Sequence, residues 1–328
     1  MLHRVKSLLA SAFMAVAALA SGPAHADPLR IGYSDWPGFV PFEVALQMGF
    51  FEEVGVDVEM VWFEYGPSID AFAAGQLDGV TIALFDAMVL GSSGIPSRAV
   101  FLTDYSNGNE MIVARPGITS MADLQGKRVG VEINLVEHLV LLKALELAGL
   151  TADDVELVHG ATGELPRVLA SGQVDAVAVW YPIGGQALAE VPGSTPVFTT
   201  REVPGLVFDA LFATPQSLAS RRDDWVKVAQ AWYMALDFIR DEETKDQAMA
   251  IMAARVNLTP EQFEENLEGS DPLSIEANVQ HFRDADGFES VYGSARHVDE
   301  FVHAQGLYEE PQDVSVYLDS NVIPDLLR

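Results

Sequence analysis

The strongest constraint on this chain is an alternation of short apolar strand, turn and helix that begins at Leu29 and restarts after Pro116. "LRIGYS" is a short apolar strand, and "FVPFEVALQMGFFEEVG" predicts one helix ended by Gly55. "VDVEMVWF" is a second strand. "PSIDAFAAGQL" opens with Pro67 in its first turn and closes on Gly75, the expected order of helix punctuation. "GVTIAL" is a third strand, with the helix "FDAMVLGSSG" after it. Past Pro116, "SMADLQGKRVGVE" gives a helical turn and a strand, and "NLVEHLVLLKALELAGL" an amphipathic helix. "DVELVHG" and "VDAVAVW" are strands separated by the helix "GELPRVLASG", and "YPIGGQALAEV" is a further helix. This pattern predicts an α/β protein with mostly parallel sheets flanked by helices. "GLVFDALFATPQ" runs back as an extended apolar strand, and from Leu218 the chain is almost all helix. No unit of 20 to 50 residues recurs, which excludes a solenoid.

A chain of 328 residues is longer than one hydrophobic core usually serves, so each run is expected to form its own lobe. Residues 27–109 would open lobe 1, residues 110–208 would form lobe 2 with the crossing strands, and residues 209–328 would complete lobe 1 and add the C-terminal helices. The strand leaving lobe 1 is predicted at Glu110–Arg115 and the returning strand near Gly205–Thr214. Asp104, Tyr105, Ser106, Asn107, Gly108, Asn109 and Glu110 form a polar run longer than a strand-to-strand turn needs. Its place at the crossing puts it on the floor of an interlobe cleft.

The first residues predict export. Arg4 and Lys6 precede the apolar stretch "SLLASAFMAVAALA", and "AHA" at Ala24–Ala26 supplies a small-x-small cleavage pattern. A signal peptide of residues 1–26, cleaved after Ala26, implies a periplasmic mature chain. The sequence contains no cysteine, which removes lipid anchoring at a cysteine, disulfides, thiolate metal sites and a cysteine nucleophile. Lys+Arg number 19 against 48 Asp+Glu, a formal net charge of −29. Such a chain is not expected to bind nucleic acid or to associate with an anionic membrane.

"IGYSDWPGFVPFEVALQMGFFEEVGVDVE", "AFAAGQLDGV", "DLQGKRVGVE", "LASGQVDAVAVW" and the ending "GLYEEPQDVSVYLDSNVIPDLL" carry a resemblance to a known family. The chain resembles the periplasmic substrate-binding proteins of ABC importers, in the nitrate/sulfonate/taurine-like branch, over essentially the whole mature length. The resemblance implies a two-lobe type II binding fold that closes on a small molecule and presents it to a permease and its ATPase, with no cofactor, no metal and a monomeric receptor. Within that branch, "WFEYGPSIDAF", "DYSNGNEMIV", "VPGLVFDAL" and "SARHVDEF" look like the proteins associated with urea carboxylase, which implies a guanidine- or urea-like ligand. That subgroup pattern would have Asp where this chain has Glu110.

Ligands of open α/β sheets bind beyond the carboxyl ends of strands. Asp35 and Trp36 follow the first strand, Glu64 and Tyr65 the second, and Asp86 the third. The first crossing contributes Asn107, Asn109 and Glu110, and the second half contributes Glu132 and Trp180. Asp209 lies inside the returning apolar strand, where a carboxylate needs a partner. These positions hold carboxylates and aromatic rings but no Arg or Lys. Sulfonate or nitrate would ask for basic groups or several helix N-termini. A planar cation suits carboxylates that accept its N–H groups and an indole that stacks on it. Neutral urea remains compatible through Asn107 and Asn109.

Simpler roles compete at several positions. Asp35 and Asp86 stand where helix N-caps would, Glu64 could be solvated, Trp62 is expected in the core, and His138 on a helix surface. Two other functions compete as well: the same receptor role for a sulfonate, taurine or nitrate, and a thiamine-pyrimidine synthase-like enzyme. The enzyme reading is disfavoured by the missing cysteines, the export signal and the absence of a nucleophile–base motif or phosphate loop.

Overall fold

The computed structural model describes residues 27–270, 272–319 and 321–328; the predicted signal peptide lies outside the described residues. The first half lays down β1 (Leu29–Tyr33), β2 (Val58–Trp62), β3 (Gly79–Ala83) and β4 (Arg98–Tyr105). Between them run α1 (Pro41–Gln47), α2 (Phe50–Val54), α3 (Tyr65–Ala73) and α4 (Leu84–Ser92). The second half adds β5 (Glu110–Ala114), β6 (Arg128–Val131), β7 (Glu156–His159), β8 (Ala176–Trp180) and β9 (Thr195–Thr199). Its helices are α5 (Val136–Leu147), α6 (Leu165–Ser171) and α7 (Ile183–Glu190). The chain then returns as β10 (Phe208–Ala213).

Two five-stranded sheets result, ordered β2-β1-β3-β10-β4 and β7-β6-β8-β5-β9. β1 is parallel to both β2 and β3, and β6 is parallel to both β7 and β8. The strands next to the crossings run the other way: β10 is antiparallel to β3 and β4, and β5 to β8 and β9. Each sheet is therefore mixed, and the reversal sits where the chain changes lobe.

Local chemistry explains the departures from the sequence pattern. The segment expected as one helix over 39–55 is broken into α1 and α2 by Gly49, whose φ of 75° is left-handed and easily reached only without a Cβ. β9 went unpredicted because Pro196 and its turn-forming neighbours conceal it. It lies at the sheet edge, where the missing proline N–H is tolerated. Helix α5 buries Val136 through Leu142 together with Ala144 and Leu145, so it is not amphipathic. It packs on β5, β6 and β8 and against α4 of the other lobe, which also buries His138 and corrects its expected surface position.

The C-terminal helices α8 (Pro215–Ser220), α9 (Arg222–Arg240), α10 (Lys245–Arg255), α11 (Pro260–Leu267), α12 (Ile275–His281) and α13 (Val291–Ala304) follow β10. α9 lays an apolar stripe along α1 and β4. There Phe42 meets Trp232 with ring centroids 4.5 Å apart, and Phe101 lies 5.6 Å from the same indole. Short α14 (Ser315–Leu318) and α15 (Ile323–Leu326) close the chain against β4 and α9.

Phe42 is fully buried in this aromatic cluster. Phe42→Ala should destabilise the fold by about 3–5 kcal/mol through lost burial and the cavity left behind. Scanning calorimetry checks this, and a loss below about 1 kcal/mol would mean the cluster is not part of the cooperative core.

Candidate functional site

The two crossings lie side by side between the sheets. The Ser106 N–H donates to the Val207 carbonyl at 3.0 Å, and the Ser106 and Thr200 hydroxyls are 2.6 Å apart. The Gly108 N–H donates to Thr200 Oγ1 at 2.9 Å. This hydroxyl-linked floor anchors the N-terminal end of β5, where Glu110 is opposite Trp180 of β8. On the other sheet Asp209 of β10 is flanked by Asp104 of β4 and Ala83 of β3. Register therefore brings Glu110, Trp180 and Asp209 to the lobe junction.

A small buried cavity of about 10 Å³ lies there, lined by Trp36, Tyr65, Glu110, Val136, Trp180 and Asp209. That volume is at the lower limit for one water molecule. Tyr65 and Trp180 face each other edge-on across the lobes, with ring centroids 5.1 Å apart. No basic side chain is among the cavity-lining residues. Asp86, Asp104, Glu110, Glu137 and Asp209 are all buried in its surroundings. Glycines make room: a Cβ on Gly38 would stand 1.3 Å from Asp104 Oδ2, and one on Gly66 would stand 2.9 Å from Glu132 Oε1.

These carboxyl groups differ in how the protein answers them. Asp86 accepts the Tyr65 hydroxyl at 2.5 Å, and the Val136 N–H at the start of α5 also favours its ionised form. Burial outweighs both, and with the Glu132 charge nearby pushes Asp86 up to about 8. Asp104 accepts the Trp36 indole N–H on both oxygens, at 3.1 and 3.0 Å. Burial first, then the Asp104 charge and a hydrogen bond with Asp104, hold Asp209 well above the carboxylate range. Glu110 is raised by burial and by Asp209, although Thr200 Oγ1 donates to it at 3.3 Å. Glu137 is raised by burial and by Asp86 and Glu110.

The remaining predicted residues fall around this centre. Half-buried Asp35 is pushed up to about 6, by burial first and Glu64 second, with Trp180 opposing. Asp35 and Glu64 lie together in an outer cleft of about 300 Å³, and Glu64 and Glu132 share a neighbouring one of about 330 Å³. Glu132 accepts both the N–H and the hydroxyl of Thr162 at 2.7 Å, which fixes it within lobe 2.

Several expectations need correction. Asp86 is not an N-cap but lies inside the first turn of α4. Asn109 donates to the Asn266 carbonyl at 2.6 Å, and the Asn107 N–H donates to the Gly269 carbonyl at 2.9 Å. Asn107 lines a separate groove with Arg240, Lys245 and Glu264, so neither asparagine belongs to the buried cavity. Trp62 is only partly buried and carries the Arg255 guanidinium 4.0 Å above its ring. Sequence reading missed Asp104 as a site residue because its role depends on pairing with a strand about a hundred residues away. It missed Glu137 because nothing marks that glutamate as buried within an apparently two-faced helix.

A model of the NMT1-like family matches residues 22–253, well over half of the chain. The chain belongs to the NMT1-like family. A Brucella abortus (strain 2308) protein named only as a binding protein is 28% identical over 261 residues, covering 78% of this chain and 80% of that one. The periplasmic aliphatic sulphonate binding protein SsuA from Escherichia coli has the same fold, with a TM-score of 0.70 at 19% identity, covering 88% of this NMT1-like chain and 96% of its own. The desulfurization enzyme DSZB also shares the fold, with a TM-score of 0.63 at 18% identity over 91% of this chain and 99% of that one. The architecture is thus that of a periplasmic binding protein.

A carboxyl protonated in the fold but ionised in the unfolded chain costs stability as pH rises between its two pKa values. For Asp86 that window runs from the usual 3.8 to about 8. The ligand-free protein should lose stability between pH 5 and pH 8, by at most about 1.4 kcal/mol per pH unit for each such group. Asp86→Asn should make the fall shallower. Calorimetric unfolding across this range tests it; an unchanged slope would mean that Asp86 does not hold a proton.

Proposed function

We propose that this protein is an exported solute receptor of an ABC importer, and that its ligand is a small planar nitrogenous cation of the guanidinium type. The observation that carries the reading is the convergence of buried carboxyl groups and aromatic rings on a cavity without a basic side chain in its lining. Guanidinium presents N–H donors in its plane and apolar faces above and below. Carboxylates can take the donors, while Trp36, Tyr65 and Trp180 can cover the faces. Kinship with binding proteins supports the receptor role, and the leader-like first 26 residues support release into the periplasm after Ala26. The partners would be a permease and its ATPase, with the receptor acting as a monomer.

Closure follows from where the contacts fall. Tyr65 and Asp86 belong to lobe 1, whereas Trp180 and Val136 belong to lobe 2, so separating the lobes would dismantle the cavity. The cavity as it stands admits no more than one water, so a guanidinium would enter with the lobes apart and be held by a closure slightly wider than this one.

The sulfonate alternative rests on the ligand named for the SsuA fold neighbour. It faces an electrostatic obstacle, since an anion would enter among carboxylates. Arg255 is the basic residue lining the nearby outer cleft. It is already engaged by Trp62, by Tyr33 with 5.6 Å between Cζ and the ring, and by Glu43 at 3.7 Å.

A thermal-shift screen of residues 27–328 against guanidinium, urea, taurine, alkyl sulfonates and nitrate tests the proposal. Guanidinium at submillimolar concentration should raise the midpoint, by the equivalent of about 2.7 kcal/mol at a hundredfold excess over Kd. Asp86→Ala and Glu110→Ala should abolish the shift. A response to sulfonates or nitrate alone would overturn the cation reading.

A further inference from the structure

Two polar atoms of the cavity-lining residues have no partner within the chain. Asp209 Oδ2 accepts no hydrogen bond, and Trp180 Nε1 donates none. Asp209 is 4% exposed and Trp180 3%, so each atom is expensive to bury unless a group from outside the chain answers it. The other polar side chains of the lining are engaged. The Trp36 indole donates to Asp104, the Tyr65 hydroxyl donates to Asp86, and Glu110 accepts from Thr200. Asp35 is near enough for the Trp180 indole to favour its ionised form, but the two do not reach hydrogen-bond geometry.

The two atoms are of opposite kinds and belong to opposite lobes. Asp209 is an acceptor on β10, in the sheet of lobe 1, and Trp180 is a donor at the end of β8, in the sheet of lobe 2. Guanidinium has N–H donors around its whole edge and no acceptor. It can answer Asp209, but against the indole it would set donor facing donor. An acceptor must come from a further part of the ligand, and there is room for one. Tyr65 and Trp180 also line the neighbouring cleft of about 330 Å³. That cleft is walled by Glu64, Glu132 and Glu164 and by no Lys or Arg among its described lining residues. A negatively charged acceptor would be repelled there, whereas N–H groups beside a neutral one can reach a glutamate.

We propose that the ligand is an N-substituted guanidinium whose short substituent carries a neutral hydrogen-bond acceptor, with Asp209 taking guanidinium N–H groups and the Trp180 indole donating to that acceptor. A carbamoyl or acyl group has this chemistry. The inference rests on the reading of the site as a receptor for guanidinium-type cations and narrows it. Asp209 holds the head group from lobe 1, and Trp180 selects the substituent from lobe 2.

Titration calorimetry of the protein with guanidinium, carbamoylguanidinium (guanylurea) and biguanide separates the two roles. The last two are cations of nearly the same shape at neutral pH, and biguanide has an N–H group where guanylurea has its carbonyl oxygen. The native protein should prefer guanylurea over biguanide by at least about tenfold, the cost of leaving a buried donor unanswered. Trp180→Phe keeps an aromatic ring and removes the N–H, and should bring that ratio close to one. Asp209→Asn should weaken both by at least about tenfold and leave the ratio unchanged. An unfolding midpoint near that of the native protein establishes that each variant is folded. If the native protein binds the two equally, or binds unsubstituted guanidinium more tightly than guanylurea, the substituent is overturned while the receptor reading stands. A folded Trp180→Phe that keeps the preference, or a folded Asp209→Asn with native affinities, overturns the role given to that residue. If guanidinium and both derivatives fail to bind at millimolar concentration, the cation reading fails and this inference falls with it.

Discussion

Carboxyl groups buried close together cannot all be ionised without a compensating charge, and the centre of this molecule is organised around that constraint. At an effective dielectric constant near 20, two unit charges 4 Å apart repel by about 4 kcal/mol. Asp86, Asp104, Glu110, Glu137 and Asp209 concentrate this repulsion where the lobes meet. The protein moderates it with the Tyr65 hydroxyl, the Trp36 indole, the Thr200 hydroxyl and the amide at the start of α5. None of these carries a full positive charge. Burial and mutual repulsion therefore raise the proton affinity of Asp86, Glu110, Glu137 and Asp209.

Sheet topology determines who meets whom. A purely parallel sheet would send every strand end to one side and leave the crossings at the edge. Here the reversed strands β10 and β5 occupy interior positions, with β10 between β3 and β4 and β5 between β8 and β9. Asp209 consequently sits beside Asp104, and Glu110 beside Trp180, by register alone. The packing of α4 against α5 then links the lobes and brings Asp86 near Glu137. The same backbone geometry that builds the two cores thus collects the charges between them.

The alternation of strands and helices was legible in the sequence because each element repeats its own period. Of the residues expected at strand ends and crossings, Trp36, Glu110, Trp180 and Asp209 line the buried cavity, Glu110 and Asp209 from the starts of the reversed strands β5 and β10. Long-range pairing was not legible. Asn109 resembled Glu110 as a polar residue at the crossing, yet its amide is committed to a carbonyl 157 positions away. Asp104 stood in the same polar run but gained its role from β10. Glu137 and His138 lie on a helix whose polar residues suggested a wet face, which the meeting of α5 with α4 removes. Trp62 was expected in the core by its strand position, but it is a platform for Arg255, a residue of a helix nearly two hundred positions later.

Arg255 also shows how attraction and selection are separated. A net charge of −29 draws cations toward the molecule without discriminating among them, and salt limits that pull to about 8 Å at physiological ionic strength. Choice must be made deeper, by geometry and desolvation. A mobile guanidinium beside Asp35 and Glu64 could itself move on to the inner cavity and compensate its carboxylates. Trp62, Tyr33 and Glu43 hold Arg255 in the outer cleft instead. Glu43 is itself buried and accepts the Tyr33 hydroxyl at 2.5 Å, so the restraint on Arg255 is tied into the core of lobe 1. On the proposed cation reading, that restraint is what keeps Arg255 in the outer cleft and out of the lining of the buried cavity.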